Sequence, residues 1–384
     1  MKQLLLISVL LLTALKVIGQ NHSASLTKNL AKLNEKKVLP GFAVSVVNSD
    51  SIIYSHSFGL SNISSRKPFT DKTILNIGSV SKTFVGVALM KAVEQGHLNL
   101  DSNINDFLPF EVRNPYYPNR PIKVIHLVTH TSGIIDREEV YKQTYTQDLD
   151  ADEYKAFLKE YLSKEGSNYS EKNFTKHEPG EWQDYSNIAS ALVACVIEGA
   201  TKVPFSEYTK KNILEPLNLN STGWFFRDIV KESHATLYDA IQQPIPFYSL
   251  LTYPDGGLKS NLKDLSSYLQ EIIKGYAGKG ELFNESSYRM LLEPKFENNF
   301  KPKNINPKEP NIGVFWVHKR NGEIGHSGGD PGITTFVFFN PNTATGRIFM
   351  TNTLLEEEDQ VVMFSKVWQL LRTFEEKSTT KNKN

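Results

Sequence analysis

Runs of β-forming residues stand near the two ends of this 384-residue chain, with helical periodicity between them, and this limits the fold more than any other feature. Phe42-Ala43-Val44-Ser45-Val46-Val47 and Ser51-Ile52-Ile53-Tyr54-Ser55 flank the polar triplet Asn48-Ser49-Asp50, the pattern of an antiparallel hairpin. Three more runs, Ile312 to Lys319, Thr334 to Asn340 and Gly346 to Asn352, follow much later. Helical spacing covers Ser79 to about Gln95, Tyr154 to Leu162, Asn187 to Glu198, Phe205 to Ile213 and Leu262 to Ile273. Gly96 is placed to end the first of these, and Ser260-Asn261 to cap the last. Ser23 to Lys36 and Asp359 to Phe374 read as outer helices, and Lys301 to Asn311 as a loop. Strands so far apart can bury their faces only by pairing with each other. The expected fold is therefore α/β (α+β): an antiparallel sheet built from both chain ends (about 20–75 and 250–375), flanked by helices, with a mainly helical region inserted at about 76–249. Residues 376–384 are expected to be a disordered polar tail.

The domain has to be held by its core. Cys195 is the only cysteine, and it lies in the apolar stretch Ala189 to Ile197, where a buried structural thiol is expected. Hydrophobic residues make up 40% of the chain, enough for a core. A formal net charge of +1 without long runs of one sign gives no reason to expect nucleic acid or an anionic membrane as partner. Of the nine histidines only His126 and His130 stand four apart, a lone pair, so no metal and no other cofactor is expected.

At the N-terminus, Lys2 precedes the apolar run Leu4 to Leu15, and the segment leads to Gly19-Gln20. This is the layout of a secretory signal peptide over 1–19. The run is too short to span a bilayer, and no cysteine stands at the cleavage site to carry a lipid. The expectation is an exported protein, periplasmic or extracellular, without a stable membrane anchor.

Three short motifs carry chemistry. Ser79 and Lys82 in Ser79-Val80-Ser81-Lys82 share one face at the start of a helix. A serine hydroxyl needs an adjacent base, and an amine in a partly buried site can serve. The helix start adds backbone N–H groups where an oxyanion develops. Tyr185-Ser186-Asn187 supplies a phenol able to relay protons and an amide able to bind a substrate carbonyl. His326-Ser327-Gly328-Gly329, just before the strand at Ile333, offers a backbone that a ligand can approach closely. Each has a plainer reading in isolation: a capping serine with a solvated lysine, a core tyrosine beside an N-cap asparagine, and a glycine-rich hairpin turn.

Their joint order resembles the serine β-lactamase and penicillin-binding-protein-like hydrolases, in the class C β-lactamase-related branch, from about Gly41 to Asn352. Asn76-Ile77-Gly78-Ser79-Val80-Ser81-Lys82 resembles that family's nucleophile segment, and Ile125-His126-Leu127-Val128-Thr129-His130-Thr131-Ser132-Gly133 its "HLLTHTSG" segment. Asp255-Gly256-Gly257-Leu258-Lys259-Ser260 and Ile324-Gly325-His326-Ser327-Gly328-Gly329 match two further segments. Glu215, in Glu215-Pro216-Leu217-Asn218, resembles a structural segment of the same branch and is read as structural.

The resemblance implies roles. Ser79 is the nucleophile, Lys82 its base or relay, and Tyr185 completes the relay and helps activate the deacylating water. Asn187, His326, Ser327 and Gly328 bind substrate, and the backbone N–H groups of Ser79 and Gly329 form the oxyanion hole. One departure stands out. Many members have lysine where this chain has His326, a fixed charge that draws a substrate carboxylate. Histidine at an ordinary pKa gives weaker, pH-dependent capture. The reading is a serine hydrolase acting through an acyl-enzyme on a peptide, amide or ester bond of a small-molecule or peptide substrate, possibly one containing D-amino acids. The alternatives are a β-lactamase and a non-catalytic cell-wall or peptide-binding module.

Overall fold

The computed structural model describes residues 22–147, 149, 151–297 and 300–379. The segment read as a signal peptide, 1–19, lies outside them.

The first hairpin is β1 (Gly41–Asn48) and β2 (Ile52–Asn62). Asn48 closes its turn by accepting the backbone N–H groups of Asp50 at 2.9 Å and Ser51 at 2.7 Å, the side-chain mimicry that favours asparagine in turns. A short strand, β3 (Lys67–Pro68), pairs with β2. The second group is β4 (Asn311–Ile312), β5 (Val317–His318), β6 (Ile324–Asp330), β7 (Ile333–Asn340) and β8 (Thr345–Thr351). They join in one eight-stranded sheet in the order β4-β5-β6-β7-β8-β1-β2-β3. All neighbours run antiparallel, and the chain's two ends meet where Phe42 opposes Thr351 and Asn48 opposes Thr345.

Both faces of β1 are covered, which is why Gly41-Phe42-Ala43-Val44-Ser45-Val46-Val47 is apolar on both faces but for Ser45. Phe42, Val44 and Val46 pack with Leu26 and Leu30 of α1 (22–34) and with Val367 and Leu371 of α5 (Glu358–Thr379). Ala43 and Val47 face the larger core around α2 (Ser81–Glu94), α3 (Asn187–Thr201) and α4 (Leu262–Tyr276). Buried Ser45 finds its partner there, accepting from the Ser266 hydroxyl at 3.0 Å. Cys195 is buried on α3, where burial pushes its thiol up to about 12, so it is a packing residue.

Several expectations shift. The run read as one strand over Ile312 to Lys319 is interrupted between β4 and β5, with Phe315 at φ 59°. The glycine-rich His326 motif, placed before the strand, is itself part of strand β6, paired along its length with β7, while β5 reaches only Ile324 and Gly325. Helix α5 runs through Thr379, four residues into the stretch expected as a disordered tail. The Phe205 helix ends at Thr209 and continues as a π-turn over Lys210–Leu214.

Candidate active site

The nucleophile segment is a tight turn pressed between two backbones. Gly78–Val80 forms a 3-10 turn that feeds into α2, and Gly78 sits at φ 53°, left-handed backbone that suits glycine. On one side, a Cβ at Gly328 of β6 would lie 2.1 Å from the Ile77 carbonyl oxygen and 2.9 Å from the Ser79 nitrogen. No side chain fits there, so strand β6 and the Ser79 turn touch main chain to main chain. On the other side, the Ile77 N–H donates to the Leu258 carbonyl at 2.9 Å, and the Leu258 N–H donates to Ser81 Oγ at 3.1 Å. The Asp255–Ser260 segment is thereby tied to both ends of the turn.

Lys82 is fully buried one helical turn beyond Ser79. Its Nζ donates to Ser79 Oγ at 3.0 Å, Asn187 Oδ1 at 2.7 Å and the Asp255 carbonyl at 2.6 Å. Three acceptors surround Nζ, so the amine is fixed in place. None of the three is charged.

Tyr185-Ser186-Asn187 is held by Asp136, which lies outside every motif of the sequence, and by His130 of the Ile125–Gly133 segment. Ser186, rather than Asn187, is the N-cap of α3, accepting the Ala189 N–H at 3.0 Å. The Asp136 carboxylate lies at that helix start and accepts from Ser186 Oγ at 2.7 Å, the Asn187 N–H at 2.6 Å and the Ile188 N–H at 3.1 Å. Burial pushes the Asp136 carboxyl up, and these hydrogen bonds pull against it. His130, at φ 56°, accepts the Ser186 N–H on Nδ1 at 3.2 Å and stacks on the Tyr185 ring with centroids 4.3 Å apart. Tyr185 is half exposed, its ring centroid 5.0 Å from Lys82 Nζ.

His326 corrects the expectation of pH-dependent capture. Its ring is buried, with Nδ1 2.6 Å from the Ser327 carbonyl. A carbonyl only accepts, so Nδ1 carries the proton. Burial, and then the charge of Lys82, hold this histidine down at about 3. His130 is held well below its ordinary value by the same causes. Both rings are neutral across the working pH range, and His326 supplies no cation.

Behind Lys82 lies a second polar group. Tyr141 donates to Asp255 Oδ1 at 3.0 Å, and Tyr145 donates to Asp330 Oδ1. Burial pushes the Asp255 carboxyl up to about 7 and that of Asp330 up to about 6.

A cavity of about 380 Å³ opens beside Ser79, bounded by Tyr185, His326 and Ser327 and, opposite, by Gln183, Asn306 and Glu309. The fold thus assembles Ser79, Lys82, Tyr185, Asn187, His326 and Ser327 at one place, with Gly328 as the backbone contact and Gly329 next along β6. Glu215 stands apart, exposed after the π-turn. Sequence reasoning missed Asp136, His130 and the Asp255 carbonyl as positioning groups. Among the described residues, no group of three or more His, Cys, Asp or Glu is placed to hold a metal ion.

A family model described as β-lactamase matches residues 26–372. The chain is 28% identical over 241 residues to a β-lactamase of Providencia stuartii, covering 62% of this chain and 56% of that protein's length. It is 23% identical over 356 residues to a β-lactamase of Yersinia enterocolitica, covering 84% of each. With penicillin-binding protein 4* of Bacillus subtilis (strain 168) it shares 25% identity over 366 residues, 88% of this chain and 73% of that one. The octameric penicillin-binding protein homologue from Pyrococcus abyssi superposes with a TM-score of 0.67 at 26% identity, covering 90% of this chain and 77% of that one.

Proposed function

This chain belongs to the β-lactamase family, and on that premise we propose that it is an exported serine hydrolase cleaving a peptide, amide or ester bond through an acyl-enzyme on Ser79. Peptides containing D-amino acids are the favoured substrate class. The observation that carries the reading is the Lys82 amine, 3.0 Å from Ser79 Oγ and 2.7 Å from Asn187 Oδ1, on side chains 105 residues apart.

In the first half-reaction, entered with one proton absent from the Lys82–Tyr185 pair, Ser79 Oγ bonds to the acyl carbon while its own proton fills that place. The tetrahedral oxyanion is received by the backbone N–H groups of Ser79 and Gly329. Collapse breaks the bond to the leaving amine or alkoxide, which takes up the proton. In the second half a water gives its proton to the same pair, its oxygen attacks the acyl carbon, and Ser79 leaves with its proton restored. Asn187 spends Oδ1 on Lys82, which leaves its amide nitrogen for the substrate carbonyl.

Treating the purified protein with a fluorophosphonate and mapping the adduct tests this. The expected result is one adduct on Ser79, lost in Ser79→Ala; an adduct elsewhere, or none, overturns it. β-Lactam hydrolysis is the second reading, favoured by similarity to the Providencia and Yersinia enzymes. The neutral His326 weighs against it, because that ring supplies no cation for the carboxylate of a penicillin. Nitrocefin turnover at rates matching ester hydrolysis would establish it.

A further inference from the structure

Tyr185, whose pair with Lys82 hands the proton to the leaving group, lines the cavity beside Ser79, and this puts the space on the leaving-group side. Its outer wall is the segment 304–312, and it is built rather than loose. The Gln183 N–H donates to Asn304 Oδ1 at 2.7 Å, and Asn304 Nδ2 returns a bond to the Gln183 carbonyl at 2.8 Å. The Lys303 N–H donates to the Glu181 carbonyl at 3.0 Å, and the Arg320 N–H to the Lys308 carbonyl at 3.0 Å. The wall is therefore anchored to the segment leading into Tyr185 at one end and to the β5 hairpin at the other.

With those bonds made, unspent hydrogen-bonding groups still face the cavity. Asn306 commits its oxygen to the Lys308 N–H at 3.0 Å and keeps its amide nitrogen, and the Gln183 carboxamide has no partner among the described residues. No lysine or arginine lines the space, and its two histidines are neutral. The one acidic side chain lining it is Glu309, which pairs with Lys319 at 3.9 Å, itself over the Phe338 ring at 4.4 Å. The cations nearest the space are already engaged, Lys82 by three acceptors and Lys319 by Glu309, so an anion entering would be desolvated beside Glu309 without a free cation to receive it, while an amide would find both donors and acceptors.

We propose that this cavity is a leaving-group subsite for a neutral, amide-bearing group, so that the enzyme cuts inside a peptide, or before a carboxamide, and not next to a free C-terminal carboxylate. Gln183 and Asn306 are the specificity residues. The proposal rests on the serine-hydrolase reading above and adds which side of the scissile bond is extended.

Two synthetic peptides identical up to the scissile bond test it, one ending after the next residue in a carboxamide and the other in a carboxylate. The full chain is expected to cleave the carboxamide with kcat/KM at least tenfold higher. Asn306→Ala and Gln183→Ala are each expected to raise KM for the carboxamide about fivefold, the loss of one neutral hydrogen bond, and to narrow the preference. Equal or faster cleavage of the carboxylate overturns the proposal, as does an unchanged KM in both variants. Fluorophosphonate labelling of the same preparations separates the two levels. A labelled Ser79 with no preference removes the subsite alone, whereas absent labelling removes the hydrolase reading beneath it.

Discussion

Asp136 Oδ2 accepts the backbone N–H of Asn187 at 2.6 Å, and through that bond a residue outside every recognised motif sets the position of one inside. The same carboxylate holds Ser186 Oγ and the Ile188 N–H. Asn187 Oδ1 in turn accepts a hydrogen bond from Lys82 Nζ, so the chain of contacts runs from Asp136 to the amine beside Ser79.

Asp136→Asn is expected to slow acylation of Ser79 by about 10- to 100-fold, the scale of a displacement near 1 Å in a reacting pair. An amide can accept at its oxygen, but its NH₂ then faces one of the three donors. The check is the fluorophosphonate labelling rate of the folded variant. Reduced thermal stability with an unchanged labelling rate would make Asp136 a helix cap and nothing more.

Asp255 predicts a pH dependence of stability with an uncommon sign. Its carboxyl sits at about 7 in the folded chain against 3.8 as the ordinary value, because burial disfavours the anion. The folded state keeps a proton that the unfolded chain gives up. Stability from this group is therefore full below pH 3.8 and is lost as pH rises to about 7. Asp255→Asn keeps an acceptor for Tyr141 and removes the ionisation. Wild type and variant should match near pH 4, and the variant should be the more stable by up to about 4 kcal/mol above pH 7. Paired denaturant curves at both pH values measure this; a difference constant with pH would refute it.

Arg347 is buried on β8 between two carboxylates, with Nε 3.0 Å from Glu375 Oε2 on α5 and its other end paired with Glu323 ahead of β6. Arg347→Ala leaves two buried acids without their cation and is expected to cost about 3–5 kcal/mol. Urea unfolding at neutral pH reads the loss, and Arg347→Lys should recover only part of it, because an ammonium lacks the planar fork.

How much of this was legible in the sequence depends on how far each signal reaches along the chain. Ser79 and Lys82 are three residues apart, and helix geometry alone puts them on one face. The two-ended sheet followed from alternation and apolar runs such as that of Phe42 to Val47. His326 to Gly329 did not read as strand, because glycine has little β propensity; pairing to β7 and main-chain contact with Ile77 hold it extended. Asp136 was invisible because its partners lie about 50 residues away. The wall made by Asn304 on Gln183 spans 121 residues. The charge of His326 was also out of reach, since the residue type fixes an ordinary pKa and only the fold supplies the burial that moves it.

That burial gives the last prediction. If the neutral ring at 326 is what denies a β-lactam carboxylate its cation, His326→Lys should raise the second-order rate of penicillin acylation at Ser79 by about tenfold, one favourable charge contact. The new ammonium stands near Lys82, which already lowers the His326 pKa, so the variant should also melt at a lower temperature than wild type. In wild type the acylation rate should show no step near pH 6.5 from this histidine, because it stays neutral down to about 3. Stopped-flow acylation across pH 5–8 for both proteins decides the matter. A wild-type step near pH 6.5 would show that His326 titrates in the free enzyme, and an unchanged rate in the variant would show that residue 326 does not govern carboxylate capture.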